Sequence, residues 1–173
     1  MIRSLIRFFL LGAILLHAPT GDAQPVTQIS GGNAHSLFLK GDGSTWAMGY
    51  NGYGQLGDGI NDTSFRSGTN RPERIVSTNI VAIAAGGEHT LILKDDGSLW
   101  AAGRNNSGEL GDGSYNGTYQ LEQIVATNVI AIAAGGHHSL FLKRDGSFWA
   151  MGFNYYGQLG TGNSVFPSTN QPV

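Results

Sequence analysis

The chain has 173 residues, with 10 Lys/Arg against 12 Asp/Glu, 13% charged residues, 27 glycines and no cysteine. The near-neutral balance excludes a strongly basic surface for nucleic acid or anionic lipid, and the missing thiols exclude disulfides, thiolate-held metal and a lipid-modified cysteine. A charged share about half the usual one, with glycine at about twice its usual share, reads as tightly turned β structure and not as disorder.

Residues 1–23 read as a secretory signal peptide. Arg3 and Arg7 open it, Phe8 to Leu16 supply a short apolar run, and Gly21-Asp22-Ala23 places small residues where a signal peptidase cleaves. The run falls well short of the ~20 apolar residues that cross a bilayer. The expectation is a mature chain that starts at Gln24, leaves the membrane, and is secreted, periplasmic or held at the cell envelope. Without the leader, eight Lys/Arg stand against eleven Asp/Glu, a net charge of −3.

From Gln24 onward the dominant signal is a threefold repeat. ISGGNAHSLFLKGDGSTWAMGYNGYGQLGDG from Ile29, IAAGGEHTLILKDDGSLWAAGRNNSGELGDG from Ile83 and IAAGGHHSLFLKRDGSFWAMGFNYYGQLGTG from Ile132 align almost residue for residue. His35, His89 and His138 each stand eleven residues before Trp46, Trp100 and Trp149. The units divide the chain into residues 24–79, 80–128 and 129–173, the last including the start of a fourth. The first two spacings differ by five residues, all between the Gly-Asp-Gly of a unit and the Ile-Val that follows, which marks that connection as a surface loop.

Within a unit, Ser36–Lys40, Thr90–Lys94 and Ser139–Lys143 are apolar, β-branched and aromatic runs, followed by Asp-Gly and then by the tryptophan run. Asp-Gly between two such runs predicts a hairpin, with a type I′ turn as the expected geometry. Runs that are apolar on both faces predict a sheet covered on both sides. Small antiparallel sheets repeating every ~50 residues and packed on their neighbours describe propeller blades. The fold class expected is all-β: a partial β-propeller of three four-stranded antiparallel blades, with the three tryptophans buried between them.

The motif Gly-Gly-x-His-Ser/Thr, then Asp-Gly-Ser, Trp and Gly-x-Asn-x-x-Gly-Gln/Glu-Leu-Gly resembles the regulator of chromosome condensation repeat over residues 29–162. The resemblance implies a ring of seven blades, of which this chain carries three. Its final Asn170-Gln171-Pro172-Val173 matches Asn70-Arg71-Pro72, as though a fourth unit were beginning. Three blades alone would present apolar faces at both ends, so either further blades of a longer chain or self-association is expected to cover them. Relatives implied by the resemblance include secreted inhibitors of β-lactamases and nuclear exchange factors for a small GTPase. What they share is recognition of a protein partner.

Catalytic and metal-binding readings are weaker. His35, His89 and His138, with Ser36, Thr90 and Ser139 beside them, recur in every unit, whereas a nucleophile needs one asymmetric constellation; they read as structural, the imidazoles satisfying backbone groups near the Gly-Gly turn. His137, present in one unit, reads as a lone surface histidine. The Asp-Gly pairs at Asp42, Asp58, Asp96, Asp112 and Asp145 lack the ligand density of a calcium loop and read as turns. Gly57-Asp58-Gly59 lacks the lysine and the helix of a phosphate loop. No metal and no cofactor is expected.

Specificity should lie where the copies differ. Around Asn51, Asn105 and Asn154, which read as turn-fixing, the loops carry Tyr50 and Tyr53, Arg104 and Asn106, and Phe153, Tyr155 and Tyr156, residue types enriched at binding hot spots. These seven are the candidate partner-binding residues. The function expected is a secreted protein-interaction scaffold, not an enzyme, with an unidentified protein partner, no nucleic acid, and no membrane after leader cleavage. The alternatives are a propeller-type hydrolase or lyase with its site in missing blades, and a structural cell-envelope protein. Asn61-Asp62-Thr63, Asn105-Asn106-Ser107 and Asn116-Gly117-Thr118 are formal glycosylation sequons.

Overall fold

The computed structural model describes residues 24–61, 68–76, 78–162 and 168–173. The expected signal peptide, and part of the length-variable loop after Gly59, lie outside these residues. Twelve strands form three four-stranded antiparallel sheets. The first contains β1 (Val26–Gly31), β2 (His35–Lys40), β3 (Thr45–Tyr50) and β4 (Gly68–Val76). The second contains β5 (Ile80–Ala85), β6 (His89–Lys94), β7 (Leu99–Gly103) and β8 (Thr118–Val125). The third contains β9 (Val129–Ala134), β10 (His138–Lys143), β11 (Phe148–Phe153) and the short β12 (Ser168–Thr169). In each sheet the strands neighbour one another in chain order, as in the blade of a propeller.

The hairpin between the second and third strands forms at Asp-Gly, but not as a type I′ turn. Gly43, Gly97 and Gly146 have φ of 77°, 80° and 86°, while the preceding aspartates are not among the positive-φ residues. The Gly43 amide donates to the Lys40 carbonyl and the Lys40 amide to the Ser44 carbonyl, both at 2.9 Å. This is a type I turn followed by a left-handed glycine, the three-residue hairpin loop with a bulge. It wins because Asp42 Oδ1 accepts from the Ser44 amide at 2.9 Å and the Ser44 hydroxyl at 2.6 Å, a side-chain turn that suits an aspartate with negative φ.

The same device orients the tryptophans. Nε1–H of Trp46, Trp100 and Trp149 donates to Ser44, Ser98 and Ser147 Oγ at 3.1, 2.9 and 2.8 Å. The ammonium groups of Lys40, Lys94 and Lys143 lie over the indoles, 4.3, 3.8 and 4.2 Å from the ring centroids. The indoles are half-buried, so the expectation of burial between blades holds only in part, and the ring face of each carries the lysine ammonium.

Two apolar clusters lie between the blades. Leu37, Leu39, Ile80, Ile83 and Ile92 join the first blade to the second, and Leu91, Leu93, Leu99, Phe141 and Met151 join the second to the third. A fully buried Leu or Ile contributes roughly 1.5–3 kcal/mol. Strand β6 therefore sends Ile92 one way and Leu91 and Leu93 the other, which is why its sequence does not alternate.

Candidate protein-binding rim

The histidines lie inside the junctions. His35 Nε2 is 3.1 Å from Thr90 Oγ1 of the next blade, and His89 Nε2 is 2.9 Å from Ser139 Oγ of the one after. Each hydroxyl donates onward, Thr90 to the Gln55 carbonyl and Ser139 to the Glu109 carbonyl, both at 2.6 Å. With its hydrogen committed, the hydroxyl accepts from the ring, so Nε2 carries the proton of a neutral imidazole. Burial pushes His35 down to about 4 and His89 to about 3. The partner is thus a side chain of the following blade, not the backbone near the Gly-Gly turn; Gly86 is required because a Cβ there would meet the His89 ring at 2.1 Å.

The loop after each third strand builds the rim. Asn51, Asn105 and Asn154 are buried, and Oδ1 of each accepts the amide of Leu56, Leu110 or Leu159 at 3.0, 2.9 and 2.9 Å. Nδ2 of Asn51 and Asn105 donates to Asp58 and Asp112 Oδ1, both at 3.0 Å. One amide thus ties both ends of the loop. Because Asn105 is fully buried, its sequon is closed to glycosylation, whereas Asn116 is exposed.

The residues flanking these asparagines, Asn106 apart, fall into two contacting groups, one across the first and second loops and one at the third. Tyr50 and Tyr53 meet edge to face at 6.1 Å, and the Arg104 guanidinium lies 5.6 Å from the Tyr53 ring, joining the first loop to the second. Arg104 is paired with Glu88 at 2.6 Å. In the third loop Phe153, Tyr155 and Tyr156 form a mutual cluster, with centroid separations of 6.2, 6.4 and 5.2 Å. Tyr155 is 63% and Tyr156 85% exposed. Asn106 is exposed at its loop tip and joins neither aromatic group.

Three further residues stand beside these groups. Glu88 orients Arg104. Glu109 is buried, its Oε2 accepting the Ser107 amide at 2.8 Å and its Oε1 left without a hydrogen bond. His137 Nδ1 stands 3.6 Å from Glu109 Oε1, and its ring is 6.5 Å from Phe153. His137 is therefore not a lone histidine; it links the second loop to the third. The signal was present in the repeat: Glu88 and His137 occupy the place of Ala34, and Glu109 that of Gln55 and Gln158. Among the described residues no group of three or more acidic or histidine side chains is arranged to hold a metal.

Comparison with known proteins agrees with this architecture. Human WBSCR16 superimposes with a TM-score of 0.76 at 31% identity, over 87% of this chain and 39% of that one. Yeast Prp20p, whose structure was reported with its binding properties to Gsp1p and histones, gives 0.75 at 26% identity, over 86% and 37%. In sequence, a human RCC1-like G exchanging factor-like protein is 36% identical over 93 residues, 53% of this chain and 20% of its own length. An X-linked retinitis pigmentosa GTPase regulator homolog of Caenorhabditis elegans is 33% identical over 96 residues, 56% of this chain and 7% of its own. The chain thus spans a fifth or less of these sequence relatives. The regulator of chromosome condensation (RCC1) repeat matches at residues 26–55, 80–109 and 129–158, one match per sheet, and the chain belongs to that family.

Proposed function

We propose that the chain is an exported protein-interaction scaffold that engages its partner through the rim running from Tyr50 to Tyr156. The observation that carries this reading is the pair Tyr155 and Tyr156, exposed on a loop whose backbone Asn154 already holds, packed against half-buried Phe153 at the end of β11. Preorganised aromatic rings offer large contact area with little loss of entropy, the property of binding hot spots. Arg104, held by Glu88 and laid toward Tyr53, adds a charged centre between two aromatic ends. The similar yeast protein was also solved with Kap60 bound, which supports a protein as the class of partner.

Binding in preference to catalysis is favoured by the histidine-hydroxyl pairs. Thr90 and Ser139 are fully buried, and their hydrogens are already donated to carbonyls, so these two hydroxyls serve the blade junctions. Export rests on the leader, and intact mass of the exported chain should correspond to a start at Gln24.

The test of the rim is the double substitution Tyr155→Ala/Tyr156→Ala. Partners crosslinked to the native chain and identified by mass spectrometry should be lost or weakened by roughly 30-fold or more, about 2 kcal/mol, while the melting temperature scarcely moves. Unchanged capture by the folded double variant would remove these rings from the interface.

A further inference from the structure

Two Asn-Gly pairs occur in the chain, Asn51-Gly52 and Asn116-Gly117, each in the connection between the third and fourth strands of a blade. An asparagine before glycine is prone to lose its side-chain amide, because the following backbone nitrogen has no Cβ beside it to obstruct attack on the asparagine Cγ. In a folded chain the reaction further requires that Cγ can swing onto that nitrogen and that the nitrogen is free. The fold treats the two pairs in opposite ways.

At the first pair the side chain is held. Asn51 is buried, its Oδ1 accepts the Leu56 amide at 3.0 Å, and its Nδ2 donates to Asp58 Oδ1 at 3.0 Å. Gly52 lies against Tyr50, so closely that a Cβ would run into the phenol hydroxyl, and its carbonyl accepts from the Tyr119 hydroxyl at 3.0 Å. Asn106 is exposed, but the amide after it, that of Ser107, is donated to Glu109 Oε2 at 2.8 Å.

At the second pair the backbone of Asn116 is held and its side chain is not. The Asn116 amide donates to Ser114 Oγ at 3.0 Å, and its carbonyl accepts from Asn105 Nδ2 at 3.1 Å. Its side-chain amide is exposed and, like the Gly117 amide, makes no hydrogen bond among the described residues. The glycine is imposed by packing, since a Cβ at Gly117 would meet the Gly103 carbonyl at 2.7 Å, and one at Gly68, its counterpart in the first blade, would run into the Gly49 carbonyl. In the first blade Ser67 precedes that glycine, so only the second blade joins the glycine to an asparagine. This blade has a neighbour packed on either side, and the loop's setting is that of an internal blade.

We propose that Asn116 is a site of spontaneous deamidation in the folded chain. The Gly117 nitrogen gives up its proton to base and attacks Asn116 Cγ. The N–Cγ bond forms, the Cγ–Nδ2 bond breaks, and Nδ2 takes a proton from water and leaves as ammonia. Water then opens the cyclic imide, at Cγ to give aspartate or at the backbone carbonyl to give isoaspartate. Either product adds a negative charge to the loop that already carries Asp112. Isoaspartate also turns the carbonyl that Asn105 holds into a free carboxylate and routes the main chain through Cβ and Cγ, so the entry into β8 must take up an extra methylene.

Time-resolved peptide mapping of the purified chain in mildly alkaline buffer, by mass spectrometry with isoaspartate-specific methyl transfer, tests this. In the folded chain the peptide bearing Asn116 should convert roughly 10-fold or more faster than that bearing Asn51, whose conversion requires local opening. The rate should rise with pH, because the attacking nitrogen must lose its proton. In urea the two Asn-Gly pairs should convert at similar rates, since only the fold distinguishes them. Asn116→Ser, which gives the second blade the serine that precedes Gly68 in the first, should leave the melting temperature unchanged and abolish the early acidic species on ion exchange. An Asn116 that persists as the amide while the unfolded chain converts, an Asn51 that converts equally fast in the folded chain, or an early acidic species that survives Asn116→Ser would each overturn the proposal.

Discussion

The second blade and the two outer blades carry nearly the same sequence, yet they occupy different environments. Strand β6 is buried on both faces from His89 to Leu93, whereas β2 and β10 bury alternate residues only. Phe38 and Phe141 stack on Trp46 and Trp149 in the same geometry, at 6.0 and 6.2 Å, but Phe141 faces a neighbour and Phe38 faces outward. A propeller strand is therefore a two-sided element whose second side acquires its energy only from the adjacent blade. The difference between the blades measures that contribution within a single chain.

The sharpest way to break the comparison is to remove the same side chain in both settings. Leu91→Ala should destabilise by about 3 kcal/mol, as expected for a fully buried leucine, and the equivalent Leu140→Ala by less than ~1 kcal/mol. Urea unfolding of the monomer measures both. Equal losses would show that the junction does not carry the stability of the second blade.

A second test uses pH. The unfolded imidazoles titrate near the ordinary 6.5, while His35 and His89 are pushed down to about 4 and about 3 by burial. Between those values the unfolded chain binds more protons, so the stability present above pH 6.5 is lost as pH falls, at ~1.4 kcal/mol per pH unit for each histidine. The loss should continue to about pH 4 for His35 and about pH 3 for His89. His138, less buried and lowered less, should contribute a smaller slope. Melting curves of His89→Gln should show a reduced dependence on pH over this window, and His138→Gln should leave it nearly unchanged.

The smallest effect expected concerns the tryptophans. Trp100 packs against the first junction, whereas Trp46 lies on the outward side of the first blade. Trp100→Ala should lower stability by about 2 kcal/mol and Trp46→Ala by about 1 kcal/mol, both below the range for fully buried aromatics. Native fluorescence of the remaining indoles should report partly shielded rings in each case.

Much of this was legible in the repeat. The strands, the hairpin at Asp-Gly, the anchoring role of Asn51, Asn105 and Asn154 and the exposure of Tyr155 and Tyr156 follow from motif chemistry acting within a few residues. The turn type was misread because the Asp-Ser side-chain bonds, which favour negative φ at the aspartate, outweigh the bare Asp-Gly preference. Left-handed Asn79 and Asn128, at φ of 70° and 72°, stood unremarked in Ser-Thr-Asn and Ala-Thr-Asn, where no glycine signalled them. The link from Glu109 through His137 to Phe153 was missed because its members lie on two units and become neighbours only when blades stack.

By itself the sequence determined the blade: which residues pair, where the chain turns and which loops vary, since these depend on contacts close along the chain and recur with it. Only the tertiary structure decided what each repeated side chain does. His35 and His89 are sealed donors while His138 is an open one, and Ile83 is core while Ile29 faces outward, because the fate of a face depends on what packs against it, a relation between units that no single repeat encodes.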